Sequence, residues 1–220
     1  MKNEEYTETK NGLTIKIYQD DNCYDTPNDW GDDSLFLVGY HRDFTVERDA
    51  VVTQGQCRAI FTRDPDEDEQ AVAKELRRKY HIYGLEAYIH SGVRLALSHE
   101  GNFPDRQWDV SQLGAVFVSR KEWKSAAKAR KAALGLIETW NDALSCNIYG
   151  FVVEDERGNN LESCWGSYGD YQTSGILDQA RSIAKTHSTK VEKTKRSEMY
   201  KQADIAQARA LVKPYRMTVK

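Results

Sequence analysis

A chain of 220 residues in which 40% of the side chains are hydrophobic can bury a core of its own. The mean hydropathy of −0.72 is typical of a soluble protein, and no segment approaches the roughly 18 consecutive apolar residues of a membrane helix. The polar opening MKNEEYTETK is unlike a secretory signal, so the sequence predicts an intracellular, cytoplasmic protein. The four cysteines form no Cys-x-x-Cys pair, which excludes a recognisable zinc knuckle or redox motif.

Charge is distributed unevenly along the chain, although the net charge is only −3. Residues 1–75 hold 18 acidic and 8 basic side chains, a net charge of −10, whereas residues 76–175 hold 12 of each. Residues 176–220 hold 11 basic and 4 acidic side chains, a net charge of +7. Such asymmetry between the two ends concerns association with partners rather than the fold.

The first predicted element is a hairpin around Asn11-Gly12, because both positions of a tight primed turn need positive φ. The next segment is an acidic loop, since Asp, Asn, Pro and Gly favour turns. It lacks the spacing of a calcium-binding loop, so we interpret it as a solvated segment whose charge suits a basic surface on a partner. Its six aspartates are Asp20, Asp21, Asp25, Asp29, Asp32 and Asp33.

Two helices are predicted from their apolar spacing and their end signals. The first follows Asp64 as N-cap, with Pro65 at the first helical position and the basic residues 77–79 in the last turn. The second and longest covers residues 120–144 and has one apolar side. Between the hairpin and these helices, residues 35–40 form an apolar run that suits a buried strand.

The clearest strand pattern lies in the middle of the chain. Apolar residues alternate over 85–89 and again over 93–97, on either side of Ser91-Gly92. With Ser91-Gly92 as a two-residue turn, position 90 is expected opposite position 93. A third strand follows Trp108-Asp109, so this stretch predicts the centre of a sheet.

The last third of the chain is predicted to form another hairpin, followed by a basic helical segment. The hairpin turns at residues 157–160, and glycines in CWGSYGDYQTSG lead from it into a helix. We interpret these glycines as a turn, with a phosphate site as the alternative. The polar stretch after residue 186 is interpreted as a solvated helix face, with a phosphate-contacting arm as the alternative. The candidate cations of that arm are Lys190, Lys193, Lys195, Arg196 and Lys201.

No motif for catalysis or metal binding can be recognised. The five histidines lack the spacing of helical metal ligands, although a site between His81 and His99 is a minor alternative. No nucleophile elbow or His-Glu-x-x-His motif is present. The leading candidates for acid–base chemistry are the carboxylates near predicted strand ends, Asp109, Glu154 and Glu162. We assign no catalytic residue, metal or cofactor, and keep a hydrolase or nuclease with an unrecognised site as an alternative.

Several short blocks occur in a defined order. They are Asp29-Trp30-Gly31-Asp32, Gly39-Tyr40-His41-Arg42, His90-Ser91-Gly92, Trp108-Asp109-Val110-Ser111-Gln112-Leu113-Gly114 and Ser163-Cys164-Trp165-Gly166. In type and order they resemble blocks in a group of uncharacterised bacteriophage and mobile-element proteins, over about residues 25–170. This chain departs from that pattern at residues 31–34 and in its basic C-terminal extension. The resemblance implies a phage origin and the cytoplasm of an infected host cell, but no particular activity.

A shared surface is expected where His90, Asp109 and Trp165 lie at predicted strand ends, since loops gather there. The alternative is that these residues have structural roles only: His90 would belong to a local turn, and the Trp165 side chain would cover the sheet. Together with the acidic loop, these residues form the predicted partner-binding set: Asp20, Asp21, Asp25, Asp29, Trp30, Asp32, Asp33, His90, Asp109 and Trp165.

The sequence thus predicts an α+β fold, an antiparallel sheet built from hairpins with helices packed on one face. A core domain is expected over residues 1–172 and a basic helical segment over residues 173–220. We expect a phage-encoded accessory protein that binds a host protein or nucleoprotein complex stoichiometrically, as an inhibitor of a nucleic-acid-based defence such as a CRISPR or restriction complex. No membrane partner is expected. Nucleic-acid binding by the basic segment is the alternative, and the oligomeric state is left open.

Overall fold

The computed structural model describes residues 3–21, 26–29, 33–41, 44–46, 51–104 and 106–211, with side chains described as far as residue 203 except that of Phe44. Its strands and helices confirm the predicted α+β class. In chain order they are β1 (Glu4–Lys10), β2 (Leu13–Gln19), β3 (Leu35–His41), β4 (Phe44–Val46), α1 (Gln54–Ala59), α2 (Glu67–Lys79), β5 (Tyr80–Ile89), β6 (Val93–Leu97), α3 (Arg106–Asp109), β7 (Val110–Ser119), α4 (Ala126–Leu144), β8 (Ile148–Glu154), β9 (Asn160–Tyr168) and α5 (Ile176–Leu211).

Contacts within the chain group these elements into two compact units. One unit, the five-strand unit, comprises residues 20–149 and 166–170. The other, the hairpin unit, comprises residues 1–19, 150–165 and 171–220. The expected division into folding domains at residue 172 stays a prediction. Within the described part of the chain, no helix is both long enough and apolar enough to cross a bilayer.

The five-strand unit is built on an antiparallel sheet with the strand order β4-β3-β7-β5-β6. Residues of α1 and α2 pack on one face of this sheet, against Phe36 and Phe117. Residues of α4 pack on the other face, against Val116 and Val118. The structure therefore differs from the expected single sheet with helices on one face: the described residues form two sheets, and both faces of the larger one are covered. Because consecutive side chains of β7 point to opposite faces and both faces are covered, residues 113–118 of this strand form a continuous buried apolar run.

The β5–β6 hairpin corrects the predicted turn. Its register pairs Leu85 with Leu97, Ala87 with Leu95 and Ile89 with Val93, so the connection is the three-residue segment 90–92. The predicted two-residue turn at Ser91-Gly92 was wrong by one position. The observed register places apolar side chains opposite apolar side chains on the face covered by α4, whereas a slip of one residue would break that match.

Two asparagine side chains bond backbone groups of this sheet, one on β3 and one on the outer strand β6. Asn28 is 3% exposed, donates from Nδ2 to the Leu37 carbonyl (2.7 Å) and accepts the Leu37 N–H at Oδ1 (3.1 Å). Asn141 on α4 does the same for Leu95 of the edge strand β6, at 3.0 Å and 2.7 Å. Each amide therefore takes the place that a peptide group of a further strand would occupy.

The helix ends match the predicted signals with one shift. The N-cap of α2 is Asp66 rather than Asp64, because Asp66 and Glu69 form a reciprocal capping box. Residues 77–79 lie in its last turn as predicted. The helix predicted over residues 120–144 begins at Ala126, after the N-cap Ser125.

The second sheet has four strands in the order β1-β2-β8-β9, and most of its residues belong to the hairpin unit. The predicted turn between β1 and β2 is confirmed, since Asn11 and Gly12 have φ of 56° and 73° and Lys10 pairs with Leu13. The inner positions of β2, Leu13, Ile15 and Ile17, are buried. The first turns of α5 supply further buried residues of this unit, Ile176, Leu177 and Ala180.

Candidate functional site

A buried carboxylate organises the loop that links β6 to β7. Glu86 of β5 is 5% exposed and accepts hydrogen bonds from the backbone N–H groups of His99 (3.0 Å) and Gly101 (3.1 Å). Arg106 donates to both carboxylate oxygens, from Nη1 at 3.0 Å and from Nη2 at 2.7 Å. These four bonds fix both the start of the loop and the short helix α3 to the sheet.

The ionisation of Glu86 follows from two opposing effects. Burial raises its pKa, because desolvation disfavours the charged form. The hydrogen bonds from Arg106, His99 and Gly101 outweigh burial, so that the pKa is lowered overall. The carboxylate is therefore charged at neutral pH and remains bound to the Arg106 guanidinium.

The fixed loop presents a row of aromatic rings beside the 90–92 turn. Tyr88 stacks on Phe103 with a centroid distance of 5.5 Å and on His90 with a centroid distance of 6.2 Å. His90 Nδ1 lies 3.5 Å from Asp109 Oδ2, and the neighbouring Trp108 is 80% exposed. We call these five residues, Tyr88, His90, Phe103, Trp108 and Asp109, the strand-end platform.

Two of the predicted surface residues, His90 and Asp109, thus lie together. Trp165 belongs to the hairpin unit, where it stacks on Tyr18 with a centroid distance of 6.1 Å and covers Gly150. A Cβ atom on Gly150 would lie 2.1 Å from the Trp165 ring, so this glycine makes room for the indole. Trp165 therefore packs against Tyr18 and Gly150. Its role in partner binding stays a prediction.

The acidic loop is described only in part. Asp25, Trp30 and Asp32 lie outside the described residues. Asp20 accepts a hydrogen bond from the N–H of Gly166 at 3.1 Å. Asp29 accepts two hydrogen bonds from Thr26, at 2.7 Å from its N–H and 2.8 Å from its hydroxyl. These two aspartates therefore hold local structure, while the side chains of Asp21 and Asp33 are exposed.

The predicted basic residues all lie on α5 and are exposed: Lys190, Lys193, Lys195, Arg196 and Lys201. Arg196 and Tyr200 are neighbours at i and i+4 on the helix, and the Arg196 guanidinium lies over the Tyr200 ring, 5.7 Å from its centroid. At about 100° per residue the cations point in several directions around the helix rather than along one stripe. Their role in nucleic-acid binding stays a prediction.

The other candidates for chemistry have structural contacts. His81 Nε2 lies 2.9 Å from the Trp123 carbonyl, and His99 donates its backbone N–H to Glu86. Glu154 forms an ion pair with Lys16 at 2.8 Å. Burial raises the pKa of the Cys57 thiol to about 12, which makes this cysteine a poor nucleophile. In the part of the chain that the structure describes, no three His, Cys, Asp or Glu side chains cluster as a metal site would require.

Sequence reasoning missed Glu86 and Arg106, which position the platform. Glu86 occupies a polar position in an alternating strand and so looks solvent-facing, while Arg106 comes twenty residues later in a loop. Comparisons of the chain with protein-family models, with curated proteins and with solved structures returned no match. The resemblance to bacteriophage proteins therefore stays a prediction.

Proposed function

We propose that this protein acts by stoichiometric binding to a macromolecular partner, with the strand-end platform as its docking face. The observation that carries the proposal is Trp108, a large side chain that is 80% exposed on α3, a short helix that Arg106 fixes to the buried carboxylate of Glu86. Tryptophan residues are frequent anchors of protein interfaces, because they bury a large apolar area while keeping a polar N–H.

The rigidity of the loop supports this proposal. Ordering a flexible segment on binding costs conformational entropy, which reduces affinity. Glu86 and Arg106 tie the loop to β5 before any partner arrives, and the stack of Phe103, Tyr88 and His90 stiffens its surface. A preorganised anchor of this kind favours recognition by a protein surface with a complementary pocket.

For the partner we propose a host protein or nucleoprotein complex of a nucleic-acid-based defence, such as a CRISPR or restriction complex, which a phage-encoded accessory protein would inhibit in the cytoplasm. The support is the net charge of −10 over residues 1–75, together with the sequence blocks that resemble phage proteins. An acidic surface can occupy a basic nucleic-acid channel and compete with its natural ligand.

The proposal is tested by affinity capture from host lysate, followed by native mass measurement of the captured complex. We expect the wild-type protein to retain a partner at a fixed stoichiometry and the Trp108→Ala variant to lose it. Tyr200→Ala is the matched control, because Tyr200 is an exposed aromatic (53%) on α5, outside the platform. Equal capture by the wild type and by folded Trp108→Ala would contradict the docking face.

Direct nucleic-acid binding is the second candidate, and the exposed cations of α5 favour it. In that case the protein alone shifts nucleic acid in a gel, and its affinity falls steeply with salt. Replacing Lys190, Lys193 and Lys201 by Gln should then abolish the shift. A charge-matched control replaces Lys121, Lys124 and Lys128, which are also exposed but lie in the segment before α4 and in its first turn. A shift that survives the first set of changes argues against this candidate.

A further inference from the structure

A hollow of about 530 Å³ opens between α5 and the β1–β2 hairpin, and all of its walls belong to the hairpin unit. Its floor is apolar and consists of Leu13, Ile15 and Ala184. The inward-facing residues of β1 form one side, because Lys10 pairs with Leu13 and Glu8 pairs with Ile15 across the hairpin. The volume falls within the range of about 300–1,000 Å³ that is typical of small-molecule sites.

The charges at the rim of this hollow do not cancel. Arg181 donates to both oxygens of Glu8, at 3.0 Å from Nε and 2.8 Å from Nη2, so these two charges neutralise each other. Hydrogen bonding by Arg181 lowers the pKa of Glu8 to about 2, despite partial burial. Lys10 and Lys185 have no ion pair among the residues that the structure describes. The rim therefore carries an excess of two positive charges above an apolar floor.

We propose that this hollow binds a small amphipathic anion, a molecule with an apolar body and one carboxylate, sulfonate or phosphate group. The apolar body lies on Leu13, Ile15 and Ala184, and the anionic group lies between the Lys10 and Lys185 ammonium groups. Ser188 adds a hydroxyl that can donate a hydrogen bond at the same rim. This site is separate from the proposed docking of a partner at Trp108.

Two fluorescent probes that differ in one group test the charge requirement. The anionic probe is 8-anilinonaphthalene-1-sulfonate, and its neutral analogue is N-phenyl-1-naphthylamine. We expect the full-length folded protein to bind one equivalent of the anionic probe, at least about tenfold more tightly than the neutral one, because each charge-assisted contact is worth about that factor. Equal affinity for the two probes, or no saturable binding of the anionic probe, would overturn the proposal.

Substitutions locate the site. In Lys10→Gln combined with Lys185→Gln, affinity for the anionic probe should fall about tenfold or more, while affinity for the neutral probe changes little. Lys190→Gln combined with Lys193→Gln is the control, because it removes the same amount of charge from exposed lysines of α5 that do not line this hollow. Ala184→Leu should abolish binding of both probes by filling the floor. An unchanged affinity in the Lys10 and Lys185 variant overturns the site, and Trp108→Ala should leave it intact.

Discussion

At the scale of single residues, close backbone approach decides which glycines are essential. Gly114 of β7 lies opposite Gly39 of β3. A Cβ atom at position 114 would lie 1.9 Å from the carbonyl oxygen of Val38. Gly135, on the exposed side of α4, would meet nothing within 4 Å. The same amino acid therefore makes room for a neighbouring strand at one position and only weakens a helix at the other.

These two glycines give a paired prediction. Gly114→Ala should lower the free energy of unfolding by about 2 kcal/mol or more, because the neighbouring strand has to move. Gly135→Ala should raise it by about 0.5–1 kcal/mol, since alanine is the better helix former. Urea unfolding of both variants measures the two changes. A neutral Gly114→Ala variant would show that β3 and β7 are not packed as described.

At the scale of elements, the link between β6 and β7 depends on one carboxylate. The pKa of Glu86 is lower in the folded protein, so its contribution to stability is complete above the ordinary glutamate pKa of 4.5 and is lost as the pH falls below it. Above that range Arg106, His99 and Gly101 stay bound to Glu86. The platform therefore keeps its shape at neutral pH and loosens in acid.

This dependence predicts a local opening. As the pH falls below 4.5, the amide protons of His99 and Gly101 should lose protection from hydrogen exchange before those in the middle of β7. In Glu86→Gln the protection should already be low at neutral pH, because Arg106 loses its charged partner while a buried donor is added. Glu162→Gln serves as the control, since Glu162 is on β9 in the other unit. Protection that is independent of pH in the wild type would contradict the role of Glu86.

Elements were predictable from the sequence where local chemistry alone determines them. Asn11-Gly12 requires a particular turn, and the basic residues 77–79 mark a helix end, so both were confirmed. The 90–92 connection was predicted one residue too short, because Ser91-Gly92 resembles a two-residue turn. The register is set instead by the apolar side chains of β5 and β6 that are buried against α4. Glu86, Asn28 and Asn141 were missed because their partners are distant in sequence or are backbone groups, which no side-chain pattern reveals.

At the scale of the whole molecule, α5 changes character along its length. Among its described side chains, up to residue 203, the buried ones are Ile176, Leu177 and Ala180, which lie in the first two turns. Every described side chain from Thr189 to Ala203 is exposed, including Val191, Met199 and Tyr200. The helix therefore begins as part of a core and continues as a projection that contributes little burial.

This arrangement predicts that the second half of α5 is dispensable for folding. Removing residues 189–220 should change the free energy of unfolding by no more than about 0.5 kcal/mol, because every side chain described in this segment, from residue 189 to 203, is exposed. Thermal and urea unfolding of the shortened chain provide the measurement. If the shortened chain is destabilised by about 2 kcal/mol or more, the exposed half must have contacts that stabilise the core.

The side-chain amides of Asn28 and Asn141 have a consequence for how other molecules can approach the larger sheet. At Leu37 and Leu95 the outward peptide groups are already bonded, so a foreign strand finds no partner for its own N–H and C=O at these points. β-Augmentation and edge-to-edge aggregation are disfavoured there as a result. At these two points the sheet can be recognised only through side chains, because an added strand would find the backbone groups already bonded.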